Sequence, residues 1–553
     1  MDKESWSVRI RGWKETLGQP FDPVNLGCFR ICFGLLMVLY IYLYRTPAIV
    51  KTIYLTADFH FTYSLFDWLG LPFPTAAIMS VLTKVIAVSA LFIALGLLTR
   101  VSAGVFFLTF GYMFLIEKTH YNNHYYLILL FSFFFIITGS NRFFSLDRLI
   151  FGKNRRDYLP YWHLFLFQIQ IALVYFFGGL AKLNTDWISG RVTQNIFDGA
   201  SDGFFFVTAT AGLVIDFCVA FMLIYKPLRK TGILLSILFH VFVKYYLNVG
   251  VFPFLMIACA LLYLEPGAIR NFLGLFREEK DRTVYELPGE ARRDPVARPV
   301  WIFICVYIGI QVLVPLRSML YPGHVQWNLK GDRFAWRMFS QDNLGHIDFF
   351  VTDVITGDTV EVPRLKGITI DAYSQMAFHP DMILQYARYL HDLYQRKGVY
   401  DPIITANSFV SLNGRPFSLF IHSDLNLAHP DIHPDTKDLT GPAPFKKQDT
   451  LIDPKNVGRF FSPAYQMAVI DEETLIPGDH PTVILMQGLI DRLIRNPVIS
   501  PYQISNLVVD LKQILYTEYG HHFTAKQILE RIFEKTGPLD TVPSINQLLK
   551  YFI

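Results

Sequence analysis

The chain has 553 residues, of which 52% are hydrophobic and only 17% are charged. Soluble domains carry about 25% charged residues, so this composition excludes an ordinary soluble enzyme and indicates an integral membrane protein. The formal net charge of +4 is too small to favour nucleic-acid binding, and the sequence has no basic recognition element or zinc-finger spacing. We therefore expect membrane lipid, and no nucleic acid, among its partners.

The cysteines predict neither a metal centre nor a disulfide framework. None of them belongs to a Cys-x-x-Cys pair, and all lie inside apolar runs, where packing is their default role. The five are Cys28, Cys32, Cys218, Cys259 and Cys305. No metal cofactor is expected.

Apolar runs of membrane-spanning length recur in the first 320 residues. The preceding residues 1–25 mix basic with apolar side chains, which is typical of an amphipathic segment at a membrane surface rather than of a cleavable signal peptide. Windows of about 20 apolar residues predict nine spans, at 26–44, 76–97, 101–117, 123–140, 161–183, 205–225, 231–249, 251–265 and 299–318.

The basic residues of the loops predict an orientation. Twenty lie on the side of the N-terminus and five on the opposite side. The positive-inside rule then puts the N-terminus in the cytoplasm and, after nine crossings, the C-terminal part outside. An eight-span alternative would put that part in the cytoplasm.

The C-terminal part predicts a β-rich domain. Apolar and polar residues alternate over 346–362 around a Thr-Gly-Asp turn and over 403–421 around Asn413-Gly414, which indicates two hairpins in a β-sandwich or small sheet. Residues 381–396 have helical spacing. The predicted fold is thus a membrane α-helical bundle of about nine helices, an extracytoplasmic β-rich domain and a helical C-terminal segment. The domains are an amphipathic segment 1–25, a transmembrane catalytic domain 26–319, the β-rich domain 320–425, a linker region 426–484 and the helical segment 485–553.

Ionisable residues at membrane depth are functional candidates unless a structural role explains them. Arg30, Lys84 and Lys244 lie near span ends, and we interpret them as structural residues that extend to the interface. Asp216 lies in the middle of a span and needs a partner; a structural ion pair and a catalytic role are both open. Its candidate partners are Lys84, Lys182 and His240.

Two polar clusters reach the same outer face in this topology. Residues 117–124 join the third and fourth spans, and residues 176–187 end the fifth. Close helix packing around Gly178 and Gly179 would hold Lys182 in apolar surroundings, which disfavour its charged form and make it a candidate base. The alternative is an interfacial lysine whose ammonium reaches lipid phosphates. For His240, on an apolar span, a core histidine is an equal alternative.

Together these residues resemble the vitamin K-dependent γ-glutamyl carboxylase family and its bacterial relatives. A weaker similarity continues through Trp336 and Met338 to 411–415, so that the resemblance covers about residues 25–425. The stronger matches are Lys118-Thr119, Asn122-Asn123-His124, Tyr175-Phe176, Gly179, Lys182-Leu183, Asp186-Trp187, Phe239-His240, Asn248, Gly250 and Phe252.

The resemblance implies an enzyme that oxygenates reduced vitamin K, a hydroquinone cosubstrate, with O2 to the epoxide. The base so formed drives carboxylation of a glutamate in a protein or peptide with CO2. Lys182 corresponds to the residue that deprotonates the hydroquinone, Asn123 to a hydrogen-bonding partner of a quinone oxygen, and His124 to a catalytic residue that positions or stabilises the charged intermediate. The resemblance further implies Tyr121, His240, Trp336 and Met338 as cofactor-binding residues, and His346 and Arg415 on the glutamate side.

One departure from the family weakens the case for carboxylation. The stretch 340–345 reads Ser-Gln-Asp-Asn-Leu-Gly, where the animal enzymes are rich in His and Arg. A hydroquinone epoxidase without carboxylation is therefore one alternative, and a non-enzymatic quinone-binding or transport protein is another, although no inverted repeat is evident. The exterior part has no Asn-x-Ser/Thr sequon and no disulfide, which favours a bacterial inner membrane.

Overall fold

The computed structural model describes residues 3–152, 158–196, 201–247, 249–274, 295–415, 418–436 and 439–444. The predicted helical segment 485–553 and most of the predicted linker 426–484 lie outside these residues.

The apolar runs predicted as spans all fold into helices, as expected for segments whose backbone groups must be satisfied within the element itself. The first nine helices are α1 (Lys3–Gly18), α2 (Val24–Tyr44), α3 (Pro47–Tyr54), α4 (Ser64–Trp68), α5 (Ala76–Leu95), α6 (Thr99–Leu115), α7 (Asn123–Ile137), α8 (Leu146–Phe151) and α9 (Trp162–Lys182). They are followed by α10 (Thr185–Ile188), α11 (Arg191–Ile196), α12 (Asp202–Ile224), α13 (Arg229–Tyr246), α14 (Phe252–Cys259), α15 (Pro266–Phe272) and α16 (Arg298–Leu316). Short antiparallel strands β1 (Pro20–Phe21) and β2 (Leu159–Pro160) pair between them.

Fewer of these helices meet the criteria for a membrane span than the nine runs predicted. Among the described residues five are long and apolar enough, namely α2, α5, α9, most of α12, and α16 with the turn after it. A sixth span is possible if Phe252–Tyr263 and Pro266–Phe272, which meet at 110°, form one broken span. Helices α6 and α7 have only 17 and 15 residues, and α13 carries three basic residues. The structure thus supports five or six spans, and the count of nine is not confirmed.

The sequence predicted that Arg30 extends to the membrane interface, but the structure shows that it does not. Its side chain is completely buried and donates to the backbone carbonyls of Ala94 at 2.7 Å and of Ser140 and Phe143 at 3.3 Å. Carbonyls at helix ends lack intrahelical donors, so this guanidinium ties α2 to the end of α5 and to the loop after α7.

Helix α9 approaches α12 closely where α9 carries two glycines. A Cβ on Gly179 would lie only 3.0 Å from the backbone nitrogen of Phe217, and one on Gly178 would lie 3.4 Å from Oδ2 of Asp216. A larger residue at either position would hold the helices apart. The absence of side chains therefore brings the end of α9 against the middle of α12.

The described residues of the C-terminal part form a four-stranded antiparallel sheet, with the strands in the order 359–361, 343–352, 403–412 and 418–421. Both predicted hairpins are thereby confirmed, and among the described residues the sheet is single and not part of a sandwich. Two helices pack on it, and the helix predicted at 381–396 is the second of them. The buried residues Leu427 and Leu439 extend the same core. We call residues 343–444 the sheet domain; its elements are β3 (Asn343–Thr352), β4 (Thr359–Glu361), α18 (Ile370–Met376), α19 (Pro380–Arg396), β5 (Ile403–Leu412) and β6 (Ser418–Ile421), preceded by the single turn α17 (Val325–Asn328).

Candidate active site at Lys182

Lys182, the last residue of α9, is buried in an ion pair. Its Nζ donates to Oδ2 of Asp216 at 2.7 Å, to the carbonyl of Met338 at 3.2 Å and to the carbonyl of Gly178 at 3.3 Å. Lys182 and Asp216 are each only 4% exposed. The structure thus selects Lys182 from the three candidate partners of Asp216, and Lys182 does not extend to a lipid interface.

A pocket begins at this ion pair. Its volume is about 710 Å³ when its open mouth is counted. The walls are mainly apolar, and polar atoms are few. The lining residues are Val174, Tyr175, Lys182, Trp187, Thr193, Ile196, Thr208, Gly212, Asp216, Phe239, His240, Phe242, Val243, Leu247, Phe252, Met256, Met338 and Phe339. No group of His, Cys, Asp or Glu in the described part of the chain is arranged to hold a metal ion.

His240 lines this pocket and is oriented by the hydroxyl of Tyr175, which is itself hydrogen-bonded to Ser236. Its Nε2 lies 2.8 Å from Oη of Tyr175, which is also 2.7 Å from Oγ of Ser236. The Nδ1 atom of His240 is buried and has no hydrogen-bond partner among the described residues. Sequence reasoning assigned no role to Tyr175, but its spacing of seven residues from Lys182 places both on one face of α9, and that signal was available.

The polar cluster 117–124 lies beside the pocket without lining it. Oη of Tyr121 accepts a hydrogen bond from the backbone N–H of Phe334 at 2.6 Å and donates to Oδ1 of Asn123 at 2.9 Å. The ring of His124 lies 5.7 Å from that of Phe252, which lines the pocket and lies 5.6 Å from the ring of His240. One aromatic ring therefore separates the two histidines.

Residues 329–340, which we call the connecting segment, contact both the polar cluster 117–124 and the pocket at Lys182. The buried ring of Trp336 stacks on Tyr126 with centroids 5.0 Å apart, and Met338 and Phe339 line the pocket. Four non-glycine residues of the segment have left-handed backbone angles, which are rare for bulky side chains and cluster at functional sites. They are Leu329, Phe334, Trp336 and Phe339, with φ of 54°, 64°, 58° and 53°. Of the predicted cofactor-binding residues, His240 and Met338 thus line the pocket, whereas Asn123, Tyr121 and Trp336 support it from outside.

Two family models match the chain, and the connecting segment lies within the second match. Residues 18–267 match the HTTM domain, and residues 296–437 match the vitamin K-dependent γ-carboxylase lumenal domain. Together the matches cover more than two thirds of the 553 residues. The chain is a member of the vitamin K-dependent γ-carboxylase family. No solved structure matches it.

In this family member, Arg415 is engaged by the carboxylate of Asp186, which follows Lys182 by four residues in the chain. Its guanidinium contacts both oxygens of Asp186 at 2.6 Å, and Asn413 donates to the same carboxylate at 2.7 Å. Burial opposes the charge of Asp186, but the hydrogen bonds from Arg415 and Asn413 outweigh it and lower the pKa of that carboxyl. The next residue, Trp187, places its ring 5.1 Å from Nζ of Lys182.

The other residue predicted on the glutamate side of the carboxylase, His346, lies within the sheet domain. Its Nε2 is 3.1 Å from Oδ2 of Asp348, whose Oδ1 accepts from Arg364 at 2.6 Å. All three side chains are buried. His346 does not line the Lys182 pocket.

Proposed function

We propose that this carboxylase-family member uses Lys182 as the base that deprotonates reduced vitamin K. The observation that carries the proposal is a lysine buried in an ion pair at the polar end of an apolar pocket. When bound, the hydroquinone would supply the oxygen chemistry: its conversion to the epoxide by O2 drives removal of the γ-proton from a glutamate, which then takes up CO2.

The pocket residues suit a flat apolar ring system that carries polar oxygens. Aromatic and aliphatic side chains such as Phe239, Phe252 and Met256 form its walls, while the polar atoms of Lys182, Asp216 and His240 are available to fix the orientation of a ligand. An apolar enclosure also excludes water, which would otherwise protonate a strong base before it met its substrate.

The ion pair provides a route for the proton that Lys182 must lose before it can act. Transfer from Nζ to Oδ2 of Asp216 over 2.7 Å leaves a neutral amine and a neutral acid, which are less costly than two charges in apolar surroundings. The neutral amine can then accept a proton from a hydroxyl of the ligand. The carbonyls of Gly178 and Met338 hold Nζ in place for this step.

We assign His124 and Asn123 a positioning role. His124 contacts Phe252, and Asn123 accepts from Tyr121, whose hydroxyl anchors the connecting segment. Both would act on the pocket through these neighbours. Replacement of His124 by Ala should therefore slow hydroquinone oxidation rather than abolish it.

The test is an assay of purified protein in lipid nanodiscs with reduced vitamin K, O2, labelled bicarbonate and a glutamate-containing peptide. Epoxide and fixed label are measured together. Wild type should form both, Lys182→Ala should form neither, and Lys84→Ala, an exposed lysine on α5, is the matched control and should retain both. Unchanged epoxide formation by folded Lys182→Ala would refute the assignment.

Epoxidation without carboxylation is the second candidate function. It is favoured by the engagement of Arg415 with Asp186 and of His346 with Asp348, which occupies the polar groups that the resemblance assigns to glutamate. Epoxide without fixed label would support it. Neither product, with retained quinone binding, would favour a binding or transport protein.

A further inference from the structure

A second buried polar site surrounds Arg45, the residue that caps the C-terminus of α2. Arg45 is 9% exposed; its Nη1 donates to the carbonyl of Tyr44 at 2.8 Å and its Nη2 to Oη of Tyr125 at 3.4 Å. The guanidinium carbon also lies 5.0 Å from the ring centroid of Tyr40. No carboxylate of the described residues lies within ion-pair distance of it.

This arrangement leaves a buried cation with unused donors. A guanidinium has five N–H groups, and a buried charge is costly unless it is paired. The negative end of the α2 dipole and the two tyrosine rings offset part of that cost. Tyr44, Tyr125 and the neighbouring hydroxyl of Tyr54 supply acceptors, which are fewer than the five donors of the guanidinium. Close by, the hydroxyl of Tyr40, which is 3% exposed, also has no hydrogen-bond partner among the described residues.

A cavity separates these two groups from the loop after α6. Its volume is about 360 Å³ with its open side counted, half that of the Lys182 pocket, so it suits only a small ligand. The lining residues are Tyr40, Ile41, Arg45, Tyr54, Ile86, Phe110, Met113, Phe114, Glu117, His120 and Tyr125.

The one carboxylate in this lining is engaged elsewhere. Oε2 of Glu117 lies 2.8 Å from Nδ1 of His60, and its Oε1 accepts from the backbone and the hydroxyl of Thr119 at 3.2 and 2.7 Å. Glu117 therefore has its own donors and leaves Arg45 without a counterion.

We propose that Arg45 and Tyr40 form a binding site for a small carboxylate-type anion, of the size of formate or bicarbonate. The planar guanidinium fork matches two oxygens of such an anion, and the hydroxyl of Tyr40 donates a further hydrogen bond. The aromatic walls exclude larger or strongly hydrated ligands. The site is separate from the Lys182 pocket, with which it shares no lining residue, and it does not depend on the function proposed above.

The test is a titration of the full chain in nanodiscs with sodium formate, sodium bicarbonate or sodium chloride at constant ionic strength. Thermal unfolding and isothermal calorimetry are the two readouts. We expect a saturable rise in Tm and measurable heat with formate and bicarbonate, with at least tenfold weaker binding of chloride.

Three variants assign the binding to these residues. Arg45→Gln should abolish it, and Tyr40→Phe, which removes one hydroxyl only, should weaken it by about tenfold or more. Tyr42→Phe, an exposed tyrosine on the same helix, should bind as wild type does. If Arg45→Gln does not fold, the affinity of Tyr40→Phe for formate and bicarbonate decides whether the anion binds at this site. No saturable binding by wild type, equal binding by Tyr40→Phe, or equal affinity for chloride would each overturn the proposal.

Discussion

Nζ of Lys182 and Oδ2 of Asp216 lie 2.7 Å apart on two helices that meet at a pair of glycines. Breaking a buried pair from one side leaves an uncompensated charge, which costs about 3–5 kcal/mol. Asp216→Asn should therefore unfold at a lower temperature and lose at least about 100-fold in hydroquinone oxidation, because the proton route is removed.

The double variant Lys182→Met/Asp216→Asn separates these two effects. It should unfold at a higher temperature than Lys182→Met or Asp216→Asn alone, because the double variant buries no charge. It should also remain inactive. Thermal unfolding and epoxide formation are measured on the same preparations. An Asp216→Asn variant that turns over at the wild-type rate would show that Asp216 has no part in the chemistry.

Loss of the two parallel hydrogen bonds from Arg415 to Asp186 should destabilise the folded protein. Arg415→Lys keeps the charge but not the two parallel hydrogen bonds, so we expect a lower Tm with little change in KM for a glutamate peptide. Arg396→Lys, at the exposed end of α19, is the control. If Arg415 instead binds the glutamate, KM will rise while Tm stays constant.

Asp348 should make the chain sensitive to acid. Burial opposes its charge, but His346 and Arg364 outweigh burial and hold the pKa of this carboxyl well below its ordinary value. The unfolded state therefore binds the proton more readily than the folded state. The stabilisation is fully present above about pH 4 and is lost as the pH falls through the folded pKa.

Arg364→Gln tests the cause of this acid sensitivity. Removing one partner raises the folded pKa of Asp348, so the difference in Tm between wild type and variant should be largest at neutral pH and should shrink below pH 4. Thermal unfolding from pH 7 to pH 3 measures it. A difference that stays constant over this range would contradict the assignment.

The predicted orientation can be tested with two exposed positions. Ile355, in the turn between β3 and β4, is 72% exposed, and Leu149 on α8 is 77% exposed. In a cysteine-free background, Ile355→Cys should react with an impermeant thiol reagent in intact cells, and Leu149→Cys should react only after permeabilisation. Protection of Ile355→Cys in intact cells would favour an even number of spans, as in the eight-span alternative, with the C-terminal part in the cytoplasm.

The sequence predicted those features that depend on local periodicity. The helix Pro380–Arg396 and both hairpins follow from residue spacing over a few turns or strands. The number of membrane spans cannot be predicted in the same way. An apolar segment can be buried either in lipid or against other parts of the protein, and its composition does not distinguish the two. Helix α7, for example, is strongly apolar but only 15 residues long, and much of it is buried within the chain.

The site could be predicted only in part. The spacing of Lys182 from Gly178 and Gly179 made this residue one candidate base beside an interfacial alternative, and only the family resemblance chose between them. The need for a partner reduced the choice for Asp216 to three residues. The partner of Asp216 is determined by the way α9 crosses α12. This crossing cannot be predicted from the sequence of either helix alone. The cavity at Arg45 was not predicted, because five helices (α2, α3, α5, α6 and α7) and the loop after α6 must assemble before an empty space beside the guanidinium exists.

The carbonyl of Met338 accepts a hydrogen bond from Lys182, and this contact affects whether domains can be exchanged between members of the family. Met338 lies within the part of the chain matched by the lumenal domain, whereas Lys182 lies within the part matched by the HTTM domain. The two halves therefore do not behave as interchangeable modules. A chimera that exchanges residues 296–437 for those of a relative would also exchange the carbonyl that accepts from Lys182 and part of the pocket wall beside it, and should alter turnover even if the exchanged part folds and docks.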